Sequence, residues 1–387
     1  MSDSHSHASP SKHVVTPLEL FFDLVFVFAL TQVTTLMADD LTWLGLLRGF
    51  AVLAVVWWAW GGYTWLTNSI QIDDDIASRL VMLVAMAAML LVGLSAPAAF
   101  GTYSILFGVA YLVVRLLHVG LYAITTRSDP DVFSAVLKLA PGFVAAPVLI
   151  MVAGFVPEGP WRAVLWLVAI VIDFGSPLVA GPGGWRIDAG HFAERYGLII
   201  IIALGESIVA LGVAAAGETL SAGVIVAATL GVIVISAMWW LYFDVVSLVA
   251  ERRLEAVSGT ARTTMARDSY SYIHLFFVWG IVLVALGLKK TLLNIDEPLK
   301  AVADVALFGG FAVYLLAHVA FRLRNIHTLN LQRLVVAIVA ICLIPVGLVV
   351  SSLTSLVLLT ALIVGLVMFE AWHFKDNRHA IRQHEAQ

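Results

Sequence analysis

The chain has 387 residues, of which 61% are hydrophobic and only 12% are charged, and its mean hydropathy is +0.97. A soluble domain of this length cannot bury so much apolar surface, so the composition predicts a protein whose solvent is the lipid bilayer. The net charge of −4 comes without a block of basic residues, which excludes nucleic acid as a partner. The one cysteine, Cys342, excludes a disulfide framework or a thiolate metal site within one chain.

Twelve apolar runs are long enough to cross a bilayer as helices. In chain order they cover 17–38, 43–67, 79–99, 103–125, 134–155, 161–180, 190–215, 220–248, 269–288, 301–321, 332–350 and 354–374. The sequence therefore predicts an all-α polytopic membrane protein with about twelve transmembrane helices. Between the eighth and ninth runs, the polar segment 249–268 is predicted to be a connecting loop.

The segment 181–189, GPGGWRIDA, has the Gly and Pro content of a hinge and divides the chain into two halves. We predict a first six-helix repeat over 17–180 and a second over 190–374. A flexible cytoplasmic tail, 1–16, precedes them, and a cytoplasmic tail, 375–387, follows.

The distribution of positive charge predicts the orientation, because cytoplasmic loops carry an excess of Lys and Arg. With the N-terminus inside, most of the 22 Lys and Arg fall in cytoplasmic segments. Those placed outside are Arg48, Arg162, Lys289, Lys290 and Lys300. Both termini are therefore predicted to be cytoplasmic.

Ordered matches between the halves support the predicted repeat. They pair Gln32 with Glu206, Trp57-Trp58 with Trp239-Trp240, His118 with His318 and Asp173 with Glu370. An even number of spans per half gives parallel repeats related by an axis along the membrane normal, a common plan in transporters. Coincidence in a biased composition is the alternative.

The first span contains the stretch ELFFDLVFVFALTQ, residues 19–32, which carries two carboxylates within an apolar run. Glu19 and Asp23 are four residues apart, so they share one face of a helix. An acid in such a setting must face a protein interior, a water-filled cavity or a partner charge. The pair is therefore a candidate ion or substrate site.

Together with HFAERYGLIIIIALGESI at 191–208, this stretch resembles the bacterial low-temperature-requirement A family of integral membrane proteins. The two motifs occur in the order expected for that family. The resemblance implies a location in the bacterial inner membrane and a helical architecture. It implies no particular reaction, because the family is named for a growth phenotype in the cold.

Glu206 lies near the middle of the seventh span, where insertion of an acid costs about 3 kcal/mol. Arg115 is the basic residue deepest in any span, so we predict that it pairs with Glu206 or Asp23. The functional interpretation is an ion or proton site. The structural alternative is a buried pair that holds helices in register.

Further candidates are weaker. The matched His118 and His318 lie deep in their spans and are candidate ligands or structural hydrogen-bonding groups. Secondary candidates at span ends are Asp173, His191, Glu194 and Arg195. Of these, Arg195 is expected to extend to the interface and His191 to be solvated, because both lie at the start of the seventh span. Glu370, like Asp244, is expected to reach interfacial water.

The function that these residues predict is transport or conduction of a proton, a small cation or a small solute past buried carboxylates. FFDLVFVFALTQ is also similar to the Phe-Ser-Asp first-helix signature of a potassium-channel family, although Phe22 replaces the Ser and the seventh span lacks a Phe-x-Asp. A lipid-modifying membrane enzyme and a non-catalytic scaffold or sensor are the alternatives. No phosphate-cradling glycine loop or HExxH motif is present, so no cofactor or metal is predicted.

Overall fold

The computed structural model describes residues 15–70 and 75–375. Of the two predicted tails, only residues 15, 16 and 375 fall within these ranges. The described residues form helices and connections without a β-strand, which confirms the predicted fold class. Among them, eleven helices are long and apolar enough to cross a membrane, and a twelfth apolar helix, Leu331–Gly347, has 17 residues.

The helices of the first half are α1 (Pro17–Asp39), α2 (Trp43–Ser69), α3 (Ile76–Ser95), α4 (Ser104–Thr125), α5 (Pro130–Phe155) and α6 (Pro160–Ala180). The second half consists of α7 (Ala189–Ala216), α8 (Ala222–Phe243), α9 (Val246–Ala256), α10 (Gly259–Met265), α11 (His274–Leu293), α12 (Ala301–Asp304), α13 (Gly310–Ile326), α14 (Leu331–Gly347) and α15 (Ser352–His373). Two π-helical segments, Ala266–Ile273 and Val305–Gly309, connect α10 to α11 and α12 to α13. Helices α10 and α11 with the first segment form one candidate span, Gly259–Leu293, and α12 and α13 with the second form another, Ala301–Ile326.

Side-chain caps define several helix starts. Thr16 accepts a hydrogen bond from the Glu19 amide, while the Glu19 side chain accepts one from the Thr16 amide. This capping box satisfies two backbone donors that the first turn leaves without partners. Asp188 caps α7 in the same way, through the His191 amide. These caps position the acid of α1 and the histidine of α7 at the ends of two neighbouring helices.

The prediction of a connecting loop over 249–268 is wrong, because most of this segment is helical. Helix α9 covers Val246–Ala256, and the ninth span begins at Gly259 rather than at residue 269. The polar sequence misled the prediction because α9 is amphipathic. It buries Ala250 and Leu254, whereas Arg253 and Glu255 are exposed.

Neighbouring helices follow the same order in the two halves. In the first, α1 packs against α2 and α3, α3 against α4, α4 against α5, α5 against α6, and α2 against α6. In the second, α7 packs against α8 and α11, α11 against α13, α13 against α14, α14 against α15, and α8 against α15. Contacts of α1 with α7 and α11 join the halves. Their superposition about the membrane normal stays a prediction.

Glycines allow α11 to lie close to the helix that follows it. A Cβ atom at Gly287 would lie 2.7 Å from the Leu307 Cα atom, and one at Gly280 would lie 2.8 Å from the Gly310 carbonyl oxygen. Small residues at such crossings bring helix backbones together in membranes, where packing replaces the hydrophobic effect as the driving force. Helix α11 therefore forms the centre of the second half and also contacts α1 and α2 of the first.

Candidate functional site

The acids of the first span meet an arginine of the seventh. Nη1 of Arg195 lies 2.6 Å from Oε1 of Glu19, and Nη2 lies 2.7 Å from Oδ1 of Asp23. The three side chains are no more than 5% exposed. Because α1 packs directly against α7, the shared helix face of the two acids is turned toward one guanidinium group.

Helix α2 contributes further hydrogen bonds to this cluster. The indole Nε1 of Trp60 donates to Oδ1 of Asp23 at 2.8 Å, and Nη1 of Arg195 donates to Oγ1 of Thr67 at 3.4 Å. Oδ1 of Asp23 thus accepts from both Trp60 and Arg195. Its other oxygen, Oδ2, is buried and has no hydrogen-bond partner among the described residues.

The protonation of His191 follows from its neighbours. The Asn68 amide pairs with the Asp188 backbone, since Nδ2 donates to the carbonyl oxygen and Oδ1 accepts from the N–H. This pairing directs Nδ2 of Asn68 at Nδ1 of His191, 3.0 Å away, so that Nδ1 accepts. Nε2 then carries the proton and donates to Oε2 of Glu19 at 3.2 Å. These hydrogen bonds are those of a neutral imidazole that carries its proton on Nε2.

This arrangement corrects two expectations for α7. Arg195 does not extend to the interface, because it is 1% exposed and bound by two carboxylates. His191 is not solvated, since it is also 1% exposed and hydrogen-bonded on both ring nitrogens. Glu194, between them in the sequence, is exposed and lies outside the cluster.

The cluster of Glu19, Asp23, Arg195 and His191 is unbalanced in charge. It contains two carboxyl groups, one guanidinium group and a neutral imidazole. With both acids ionised it would carry one net negative charge in a buried site, which is unfavourable. Binding of one proton would make it neutral.

A second buried arginine forms a balanced pair. Nη2 of Arg115 lies 2.7 Å from Oδ1 of Asp173, and the hydroxyl of Tyr111 donates to Oδ2 at 2.8 Å. Nη1 of Arg115 donates to the carbonyl oxygen of Trp58, and the guanidinium carbon lies 4.2 Å from the centre of the Phe143 ring. The charges of Arg115 and Asp173 cancel, and each of the two side chains makes a further hydrogen bond.

The predicted pairing of Arg115 with Glu206 or Asp23 is therefore wrong. Arg115 is on α4, which packs against α3 and α5, and its partner Asp173 lies on α6 of the same half. Asp23 lies on α1, which packs against α7, and Glu206 lies on α7 itself. The apolar sequence contained no signal for which helices are neighbours.

A third arginine–carboxylate pair occurs in the second half. Nε and Nη2 of Arg333 donate to Oε1 and Oε2 of Glu370 at 2.8 and 2.7 Å. Glu370 is 7% exposed, so the expectation that it reaches interfacial water is wrong. Sequence reasoning did not select Arg333, because it stands at the polar start of α14, where an arginine is ordinary.

Glu206 and Asp304 are buried acids that form no ion pair with an arginine of the described ranges. Glu206 is 5% exposed, its carboxyl group is hydrogen-bonded to Thr31, and its Oε1 has no hydrogen-bond partner among the described residues. Asp304 was missed by the sequence analysis. It is fully buried against Gly347, and neither of its oxygens has a hydrogen-bond partner in the part of the chain that the structure describes. The available signal was an acid four residues into an apolar span.

The two matched histidines are buried among aromatic rings. His118 lies 5.2 Å from the Tyr63 ring centre, and His318 lies 4.6 Å from that of Phe277 and 4.8 Å from that of Tyr314. Within residues 15–70 and 75–375, neither ring nitrogen of His318 has a hydrogen-bond partner. Over the same ranges, no three His, Cys, Asp or Glu side chains are grouped to hold a metal ion.

Comparison with known proteins places this architecture in a family. The family described as Bacterial low temperature requirement A protein (LtrA) matches residues 14–368. The chain belongs to the LtrA family. The uncharacterized protein RA0937 of Rhizobium meliloti (strain 1021) is 31% identical over 304 residues, which cover 74% of this chain and 73% of that protein. No solved structure matches the chain.

Both sequence stretches that carry the family resemblance contribute to the α1–α7 cluster. The first stretch supplies Glu19 and Asp23, and the second supplies His191 and Arg195. The two sequence stretches by which the family resemblance was recognised thus build the buried cluster of this LtrA-family chain.

Proposed function

We propose that this protein carries protons across the bacterial inner membrane and that the cluster of Glu19, Asp23, Arg195 and His191 binds the transported proton. The supporting observation is the charge imbalance of the cluster, in which two buried carboxyl groups share one guanidinium group. Intramembrane acids of this kind mark ion and proton pathways. A site that is neutral with one proton and charged without it can take up and release that proton as its surroundings change.

Asp23 is the group proposed to hold the proton. Its Oδ1 accepts hydrogen bonds from Trp60 and Arg195, whereas its Oδ2 lacks a partner among the described residues. Glu19 is already engaged by Arg195, His191 and the Thr16 amide. A proton needs one free oxygen lone pair, which Oδ2 provides. A metal cation would need several ligands in a place where Arg195 already supplies a positive charge.

Glu206 offers a second proton-binding position on α7, the helix that carries Arg195. It lies eleven residues beyond Arg195, which corresponds to a rise of roughly 16 Å along α7. Oε1 of Glu206 has no hydrogen-bond partner among the described residues, so this oxygen is available to bind a proton. With the predicted orientation, Asp23 lies nearer the cytoplasm and Glu206 nearer the outside. The pathway would therefore follow the contact between α1 and α7.

The test is proton flux into liposomes that contain the purified protein and a pH-sensitive dye. A potassium gradient with valinomycin sets the membrane potential. We expect flux with the wild-type protein, its loss with Asp23→Asn, and wild-type flux with Glu194→Gln, which removes an exposed acid next to Arg195.

Wild-type flux equal to that of empty liposomes would refute the proposal. So would undiminished flux in Asp23→Asn at equal protein content. Changes in the liposome lipids without proton movement would instead support a lipid-modifying enzyme.

A further inference from the structure

The second half contains a cavity of about 310 Å³ that the proton pathway does not use, with charged and polar side chains set in a largely apolar wall. It lies among the ends of α8, α13 and α15 and the starts of α9 and α14. Its walls include Trp240, Asp244, His318, Asn325, Arg333 and Glu370. We propose that this cavity binds an oxyanion, the carboxylate or phosphate group of a small solute or of a lipid headgroup.

Arg333 offers a binding edge that its partner leaves free. Glu370 occupies the edge formed by Nε and Nη2. Nη1 is buried and has no hydrogen-bond partner among the described residues. A guanidinium group has a second edge, formed by Nη1 and Nη2, which matches the two oxygens of a carboxylate or phosphate. The pair with Glu370 holds the guanidinium plane in place for that contact.

Two further side chains add hydrogen-bonding groups to the same wall. Oδ1 of Asn325 accepts from the Ser269 hydroxyl, while Nδ2 has no hydrogen-bond partner within the described chain. Neither ring nitrogen of His318 has a hydrogen-bond partner among the described residues. Both side chains are at least nine-tenths buried. Unmatched buried polar groups are unfavourable, and a ligand that accepts hydrogen bonds from them removes that penalty.

Two arginines and two acids line the cavity, so its charges balance. Arg322 lies on the wall together with Arg333, and Glu370 is already held by Arg333. The carboxylate of Asp244 lies on the wall as well, so the oxyanion is placed on the Arg333 side. The orientation predicted from charge puts this cavity on the cytoplasmic side. A soluble anion or an inner-leaflet lipid can therefore supply the same group.

Calorimetric titration of the purified full-length protein in detergent tests this proposal, with inorganic phosphate and with acetate as ligands. Mass spectrometry of the lipid that the protein retains in phosphatidylglycerol nanodiscs tests whether a lipid headgroup binds. We expect Arg333→Lys to weaken binding about tenfold or more, because lysine still neutralises Glu370 but lacks the second edge. Asn325→Asp should weaken binding similarly, since it keeps the acceptor for Ser269 and replaces the amide donor with a negative charge.

Arg324→Lys is the matched control, because Arg324 pairs with Asp268 and does not line the cavity. Loss of free phosphate or acetate binding in Arg333→Lys would support a soluble ligand, and loss of retained lipid would support a headgroup. The proposal fails if the wild-type protein binds none of them, or if both cavity variants bind as the control does. Asp23→Asn should not change this binding, so the outcome is independent of the proposed proton flux.

Discussion

The α1–α7 cluster and the pair of Arg115 with Asp173 each place one arginine in the protein interior, but they differ in charge balance. Arg115 faces one carboxylate, and hydrogen bonds from Tyr111 and to Trp58 complete the pair. Arg195 faces two carboxylates, and its neighbouring histidine is hydrogen-bonded as a neutral imidazole. The two sites are equally buried, so burial does not distinguish them and charge balance does. A balanced pair stabilises the packing of its helices, whereas the unbalanced cluster is the site that we propose exchanges a proton.

The largest effect on stability is expected from Arg115→Leu, which leaves Asp173 as a buried charge without its cation. Loss of one partner of a buried pair costs about 3–5 kcal/mol. Denaturant unfolding in detergent measures this loss. The double variant Arg115→Leu/Asp173→Leu should recover much of it, because no charge is left alone. A double variant less stable than Arg115→Leu would contradict the interpretation of a balanced structural pair.

A smaller loss of stability, about 2 kcal/mol, is expected from Trp60→Phe above the pH at which Asp23 releases its proton, because the variant removes a hydrogen bond to the Asp23 carboxylate. Trp57→Phe is the matched control, because its indole donates to a neutral carbonyl, that of Ser271, at the same 2.8 Å. The same unfolding measurement should show about 1 kcal/mol for the control. Below that pH, where Asp23 is neutral, the two variants should lose similar amounts. Equal losses at every pH would contradict the release of a proton from Asp23.

Asp23→Asn sharpens the comparison, because it converts the unbalanced cluster into a balanced pair of Glu19 with Arg195. We expect the free energy of unfolding to change by no more than about 1 kcal/mol, since the amide can still accept from Trp60. Proton flux should nevertheless be lost. A variant that is strongly destabilised would show that Asp23 has the structural role that Asp173 has.

The smallest effect on stability is expected from Glu206→Gln, because one of its oxygens has no hydrogen-bond partner among the described residues. We expect normal abundance in the membrane and reduced proton flux. Growth in the cold at equal membrane abundance gives a second measurement in cells that lack the native gene. Full flux and full growth would remove Glu206 from the proposed pathway.

The sequence predicted the features that depend on local geometry. The spacing of Glu19 and Asp23 put both on one face because helix periodicity requires it. The length of the apolar runs predicted the helices, with errors where a polar helix such as α9 was taken for a loop. These inferences need only the chemistry of consecutive residues.

The partners of the buried charges could not be predicted, because they depend on which helices are neighbours and on their relative heights. Arg195 looked interfacial since it lies six residues into α7, yet the capped starts of α1 and α7 bring it level with Asp23. Arg115 was predicted to pair with Glu206 or Asp23, and the packing of α4 against its neighbours selected Asp173 instead. Asp304 was not selected, because its burial depends on α14, which covers it with Gly347.

Difference infrared spectroscopy of the reconstituted protein tests the central claim most directly, because it detects the C=O stretch of a protonated carboxyl group. A pH step should reveal such a band in the wild-type protein. The band should disappear in Asp23→Asn and persist in Glu194→Gln. A wild-type protein without the band, or a band that Asp23→Asn leaves unchanged, would contradict the claim that the α1–α7 cluster holds one exchangeable proton.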